Sequence, residues 1–223
     1  MIKMESFIKI RIYRKIMAKT QKPLETLVVE DNSEFINVAR SVYDNDPSLI
    51  THYSSTYEEA FNQIKQKKFD GIITDLFFPS NTISTKKIYS EIGRGLGLNP
   101  EQDYDQYKEP QSFAKLKEEP SGLLVVEFCI EKEIPFVILS QGNRHHGELG
   151  AVRYFMGDIS DKIDEFEKDG KEYKSTKLLE FLKQKQKPFY YRFLNSNGVD
   201  KGNPETWKKA IEYLQTEGKV IFQ

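Results

Sequence analysis

The chain has 223 residues, and its 33 Lys and Arg stand against 34 Asp and Glu, a formal net charge of -1. That balance gives no overall attraction to nucleic acid, and a single cysteine, Cys129, rules out an intrachain disulfide or a thiolate-built zinc site. No apolar run approaches the roughly 20 residues that cross a bilayer, so the reading is of one enlarged domain, or one domain plus an appendage, in a reducing, cytoplasmic setting.

Residues 1–22 scatter Lys and Arg among their apolar positions, whereas a secretion signal keeps its apolar centre uncharged. This stretch reads as a basic N-terminal extension, with Met17 as a candidate alternative start. Patterned sequence begins at Leu24. Leu24 to Glu30 has the short, apolar, β-branched character of a buried strand. Ser33 is placed to cap a helix whose apolar face is Phe35, Ile36, Ala39, Val42 and Tyr43. A second strand is expected at Leu49 to Ser54. Thr56-Tyr57-Glu58-Glu59 has the form of a capping box for the next helix. FDGIITDL, Phe69 to Leu76, predicts a third strand.

The rhythm then breaks. Residues 80–119 contain Pro100 and Pro110 with scattered Gly and Tyr. A structureless loop of this length is improbable inside a compact domain, so the segment is expected to be an ordered insertion with short helices near Thr85–Ile92 and Gln111–Lys117. Pattern resumes with a helix after Ser121, a fourth strand at Pro135–Ser140, a fifth at Ala151–Met156, and a helix at Lys174–Lys185. A last helix is expected from Pro204, a favoured first helical residue, to about Gln215. Regular alternation of strand and helix implies a parallel sheet covered on both faces.

The first strand stops on two acids, Glu30 and Asp31, and the third on Asp75. In an open parallel sheet, ligands bind beyond the carboxyl ends of the strands where strand order reverses. If the first and third strands are neighbours there, three carboxylates meet, and like charges so close need a cation. Hard oxygen donors in a cleft suit Mg2+.

These residues resemble the receiver domain of two-component response regulators. VVEDN resembles its acid pair. TDLFFP resembles its phosphoacceptor Asp with a following apolar residue and Pro, here Asp75, Phe78 and Pro79. PSGLLVVEF resembles the start of its third helix. VILS ends on Ser140, where the family has Ser or Thr, and GAVRYF resembles its fifth strand with the aromatic switch position at Tyr154. The resemblance implies a doubly wound, five-stranded parallel α/β sheet of flavodoxin-like order 2-1-3-4-5, spanning 23–186. Residues 80–119 would be inserted into it, and 187–223 would form a C-terminal extension. It further implies a stand-alone signalling protein, not an enzyme. Asp75 would accept a phosphoryl group with Mg2+ held by Glu30, Asp31 and Asp75. Ser140 and Tyr154 would carry the switch. A histidine kinase or phosphotransfer protein would act upstream and a protein partner downstream, with no membrane or nucleic-acid partner evident.

The chain departs from that family in the insertion after Asp75, in a short segment between the fourth and fifth strands, and in one missing lysine. The family's lysine after the fifth strand falls, on this alignment, at Gly157, leaving Arg144, Arg153 or Lys162 as substitute cations. Two alternatives therefore stand beside the phosphoryl switch: a pseudo-receiver interaction module without phosphoryl transfer, and a metal-dependent phosphohydrolase. Other motifs have plainer readings. His145-His146 belong to a polar loop. GRGLG follows no strand and lacks the ending of a phosphate loop. Phe189, Tyr190, Tyr191 and Phe193 read as an apolar strap.

Overall fold

The computed structural model describes residues 22–95, 110–141 and 199–216. Among them, β1 (Leu24–Val29), β2 (Leu49–Ser54), β3 (Gly71–Thr74) and β4 (Phe136–Ile138) form one parallel sheet in the order β2-β1-β3-β4. Strand order reverses between β1 and β3, whose register pairs Val29 with Thr74. The expected fifth strand at Ala151–Met156, its Tyr154 and the helix at Lys174–Lys185 lie outside the described residues.

The helices are α1 (Ser33–Tyr43), α2 (Tyr57–Gln66), α3 (Thr85–Gly95), α4 (Gly122–Lys132) and α5 (Pro204–Thr216), with a 3-10 helix at Pro110–Lys115. The cap of α1 is Asn32 and not Ser33: the Asn32 side chain accepts the Glu34 N–H at 2.9 Å, which makes Ser33 the first helical residue. Thr56 caps α2 as expected, accepting the Glu59 N–H at 3.3 Å. The returning carboxylate reaches one residue further back, where Glu59 accepts from the Ser55 N–H at 2.8 Å.

Successive strand residues point to opposite faces, and both faces are covered. Val28, Ile73 and Val137 pack with Ala39 and Tyr43 of α1 and with Trp207, Ala210, Ile211 and Leu214 of α5. Leu27, Ile72 and Phe136 pack on the other side with Ala60 and Ile64 of α2 and Leu123 and Val126 of α4. This explains why the strands read as almost unbroken apolar runs. The described part of the expected C-terminal extension thus supplies one of the two described helices on that face.

The expected insertion also reaches the core. Its ends are adjacent: Phe78 and Pro120 form a parallel bridge, and the Gly122 N–H donates to the Leu76 carbonyl at 2.9 Å. Glu58 fastens the exit by accepting from Ser80 Oγ and Thr82 Oγ1 and from the N–H groups of Asn81 and Thr82. Tyr89, Phe113 and Leu116 are buried in the α2–α4 core. Phe113→Ala is expected to cost about 3–5 kcal/mol in urea unfolding, as for other fully buried aromatics. A cost below about 1 kcal/mol would make the segment a detachable appendage.

Candidate functional site

Because Val29 and Thr74 are paired, the residues that follow them leave the sheet side by side. The Asp75 N–H continues the ladder to the Val29 carbonyl at 2.8 Å, and the Glu30 N–H bonds Ser54 on the other side at 3.0 Å. The structure therefore brings Glu30, Asp31 and Asp75 together. Each offers a carboxylate oxygen within 4.8 Å of the others, the spacing of a group able to hold a metal ion. Glu30 is buried, Asp75 nearly so, and Asp31 is exposed.

A fourth group completes the cluster. Lys201, only 3 % exposed, places Nζ 2.7 Å from Glu30 Oε2 and 2.7 Å from Asp75 Oδ2. The remaining oxygen of each acid is held by main chain: Glu30 Oε1 accepts the Asn32 N–H at 3.1 Å, and Asp75 Oδ1 accepts the Leu76 N–H at 2.7 Å. The ammonium also lies 4.9 Å from the centre of the Phe35 ring, in the first turn of α1, within cation–π range.

Lys201 is delivered by a pinned segment. The Val199 N–H donates to the Ser140 carbonyl at 3.0 Å, tying this stretch to the end of β4. Thr206 Oγ1 donates to the Asp200 carbonyl at 2.7 Å, and Trp207 Nε1 to the Lys201 carbonyl at 2.8 Å. Asn203 caps α5 through the Glu205 N–H. Ser140 itself is buried two residues beyond β4, at the carboxyl end of the sheet.

One cation shared by two buried acids does not fully compensate them. Burial and the charge of Asp75 push the Glu30 carboxyl up to about 7, outweighing Lys201. Burial likewise raises Asp75 against the pull of Lys201. Burial alone would lower Lys201, but Asp75 and Glu30 together hold it above the ordinary lysine value. Among the described residues, three carboxylates against one ammonium leave two negative charges when all are ionised. A divalent cation would balance them, so the donor set fits Mg2+.

These shifts set a pH dependence. Glu30 is raised from 4.5 to about 7, so it takes up a proton on folding, and its contribution is complete below pH 4.5. That contribution is lost as pH rises through about 7, a decline of about 3 kcal/mol at 1.36 kcal/mol per unit. Asp75 acts in the same direction. The raised Lys201 contributes fully throughout this window. Glu25 is held below the usual range by its hydrogen bond from Lys67. Burial pushes Glu58 up, but hydrogen bonds from Thr82 and Ser80 outweigh it. Both lose their contribution as pH falls below 4.5. Urea unfolding should therefore show maximal stability near pH 5, and rising stability from pH 5 to 8 would contradict the cluster.

The three acids expected to meet are brought together, and Lys201, which stands among them, is absent from the sequence expectations. Gly157, Arg144, Arg153, Lys162 and Tyr154 lie outside the described residues, as do His145 and His146. The available signal was VDKGNPE, a lysine just ahead of a capped, Pro-started amphipathic helix. It lies beyond 186, in the segment that the resemblance makes a C-terminal extension.

Neither a family model nor a curated protein matches the chain. Among solved structures, the RcsB response regulator of Salmonella typhimurium, studied for its conformational dynamism in DNA interaction, is similar at 10% identity and a TM-score of 0.36. That match covers 74% of this chain and 69% of the other. A second structure of RcsB is similar at 8% identity and a TM-score of 0.33, covering 74% and 68%.

Proposed function

We propose that the chain is a receiver-like signalling domain in which Asp75 accepts a phosphoryl group and a downstream protein reads the change. The observation that carries this reading is the buried ammonium of Lys201, 2.7 Å from Asp75 at the carboxyl end of the sheet. An acid held at a strand end, a cation beside it and further carboxylates around it are the parts a phosphoryl transfer to aspartate needs. In this reading residues 199–216 belong to the receiver-like domain itself, and Lys201 takes the place that the alignment gave to Gly157.

The chemistry follows from the contacts. Asp75 Oδ1 is held by the fixed main-chain N–H of Leu76, whereas Oδ2 is held by the side chain of Lys201, which can swing away, so Oδ2 would be the attacking oxygen. Its lone pair forms the new bond to phosphorus as the bond to the donor's leaving group breaks, and that group departs with the electron pair. The Lys201 ammonium moves from Oδ2 to the incoming phosphoryl oxygens and offsets their charge. Ser140 is proposed to donate its hydroxyl to one of those oxygens, and Tyr154 to respond to that contact. Glu30, Asp31 and Asp75 would hold Mg2+, which when bound supplies positive charge against the phosphoryl group. The chain would take up one phosphoryl group per cycle, from a histidine kinase or phosphotransfer protein in the cytoplasm. Among the described residues no helix is long and apolar enough to cross a membrane.

Treatment with acetyl phosphate and Mg2+, followed by intact-mass measurement, should show a metal-dependent gain of one phosphoryl group. Asp75→Ala should abolish that gain. Metal binding without labelling would leave the pseudo-receiver, and continuous phosphate release beyond one equivalent would favour the phosphohydrolase.

A further inference from the structure

Lys201 has a flexible stem, yet its ammonium must stay between two acids that come from other strands. Something must fix its main chain. Trp207, the only tryptophan in the chain, is 1% exposed and stands six residues on, one turn into α5. Its indole N–H donates to the Lys201 carbonyl at 2.8 Å, inside the core. A buried indole N–H seeks one acceptor, and here that acceptor belongs to the residue that completes the acid cluster. The indole is itself held. Tyr43, at the end of α1, donates its hydroxyl to the Trp207 carbonyl at 2.6 Å and meets the Trp207 ring edge-on at 6.2 Å between centroids. The other end of α1 carries Phe35, which lies beside the Lys201 ammonium. Helices α1 and α5 thus grip Lys201 at both ends, Phe35 at the charge and Trp207 at the main chain.

We propose that Trp207 is a positioning residue whose indole N–H, bonded to the Lys201 carbonyl, sets the ammonium between Glu30 and Asp75. Its role in phosphoryl chemistry rests on the function proposed above, but the positioning itself does not. Hydrogen-bond networks of this kind rigidify the groups they join when every member is satisfied. The single N–H of the Trp207 side chain is spent on the Lys201 carbonyl and not on a carboxylate, so it acts through Lys201.

The test separates positioning from packing. Lysine side chains labelled with 13C give an NMR signal for Lys201, assigned by its disappearance in Lys201→Arg. Trp207→Phe removes the N–H and keeps an aromatic ring. Tyr89→Phe removes a buried tyrosine hydroxyl, bonded to Glu127 in the core on the opposite face of the sheet from Trp207. The expected result is that Trp207→Phe moves the Lys201 signal more than half-way toward the exposed lysines, while Tyr89→Phe leaves it in place. An unmoved signal in Trp207→Phe, or equal movement in both variants, would overturn the proposal. If Trp207→Phe does not fold, the single indole N–H resonance of the otherwise native chain serves instead. It should shift in Lys201→Met, and an unchanged indole signal there would overturn the proposal equally. A Mg2+ titration of the native protein runs alongside. Failure to bind metal would sink the functional reading while leaving the positioning result to stand or fall on the lysine signal.

Discussion

Lys201→Met is expected to lower stability by about 3–5 kcal/mol at pH 7, the usual cost of removing one partner from a buried ion pair. The native ammonium is bonded to both Glu30 and Asp75 at 2.7 Å, and both acids are sequestered from water. Methionine matches the length of the stem but leaves two desolvated carboxylates facing each other. They respond by protonating. The deficit should therefore shrink by more than half at pH 5, where proton uptake replaces the missing charge. If Asp75 is phosphorylated, the same variant should be labelled more slowly by about one to two decades, the equivalent of a charge-assisted contact of roughly 1.5–3 kcal/mol. Equal stability losses at pH 7 and pH 5 would show that the lysine packs there without compensating the acids.

Gly122→Ala should be nearly as damaging, for a steric reason. A Cβ at Gly122 would lie 2.3 Å from the Asp75 carbonyl oxygen, 2.7 Å from Leu76 Cα and 2.9 Å from the Leu76 carbonyl oxygen. All three are main-chain atoms in the segment that carries the central acid, so they cannot rotate away. The expected cost is about 3 kcal/mol, at the upper end for overpacking, because Asp75 must shift. Gly71 is an internal control. A Cβ there would meet only the tips of the Leu214 side chain, Cδ1 at 2.8 Å and Cδ2 at 3.2 Å, which can turn aside. Gly71→Ala should cost much less in the same urea titration. Equal losses at the two glycines would show that main-chain contact at Asp75 is not what Gly122 protects.

The layered sheet was legible because burial on both faces forces apolar strands such as LETLVV and GIIT, and because Thr56 and Pro204 mark helix starts locally. The acids were legible because strand ends can be read from one short window. Lys201 was not. Its role depends on a fold-wide return that no local pattern encodes, and an isolated lysine on a polar stretch looks like any solvated one. The contribution of 80–119 to the core was half legible. Tyr89 and Phe113 stood out as aromatics in a polar segment, but only the folded chain shows them packed against each other, tilted by 35° with centroids 5.4 Å apart. Ser33 was misread as a cap because Ser and Asn compete for that role at adjacent positions, and only the hydrogen bond distinguishes them.

The separation of Lys201 from its partners, 171 residues from Glu30 and 126 from Asp75, has a consequence during synthesis. On the ribosome, β1, β2 and β3 emerge with their acids long before the cation does. Until α5 arrives, one face of the sheet also lacks Trp207, Ala210, Ile211 and Leu214. The nascent chain must carry its acidic pocket uncompensated and that apolar face half bare, and closure of so long a loop comes late. A stalled or truncated chain that ends before Asp200 would therefore be a natural substrate for chaperones and proteases. The return of Lys201 to the acids doubles as a check that the chain has been made as far as α5.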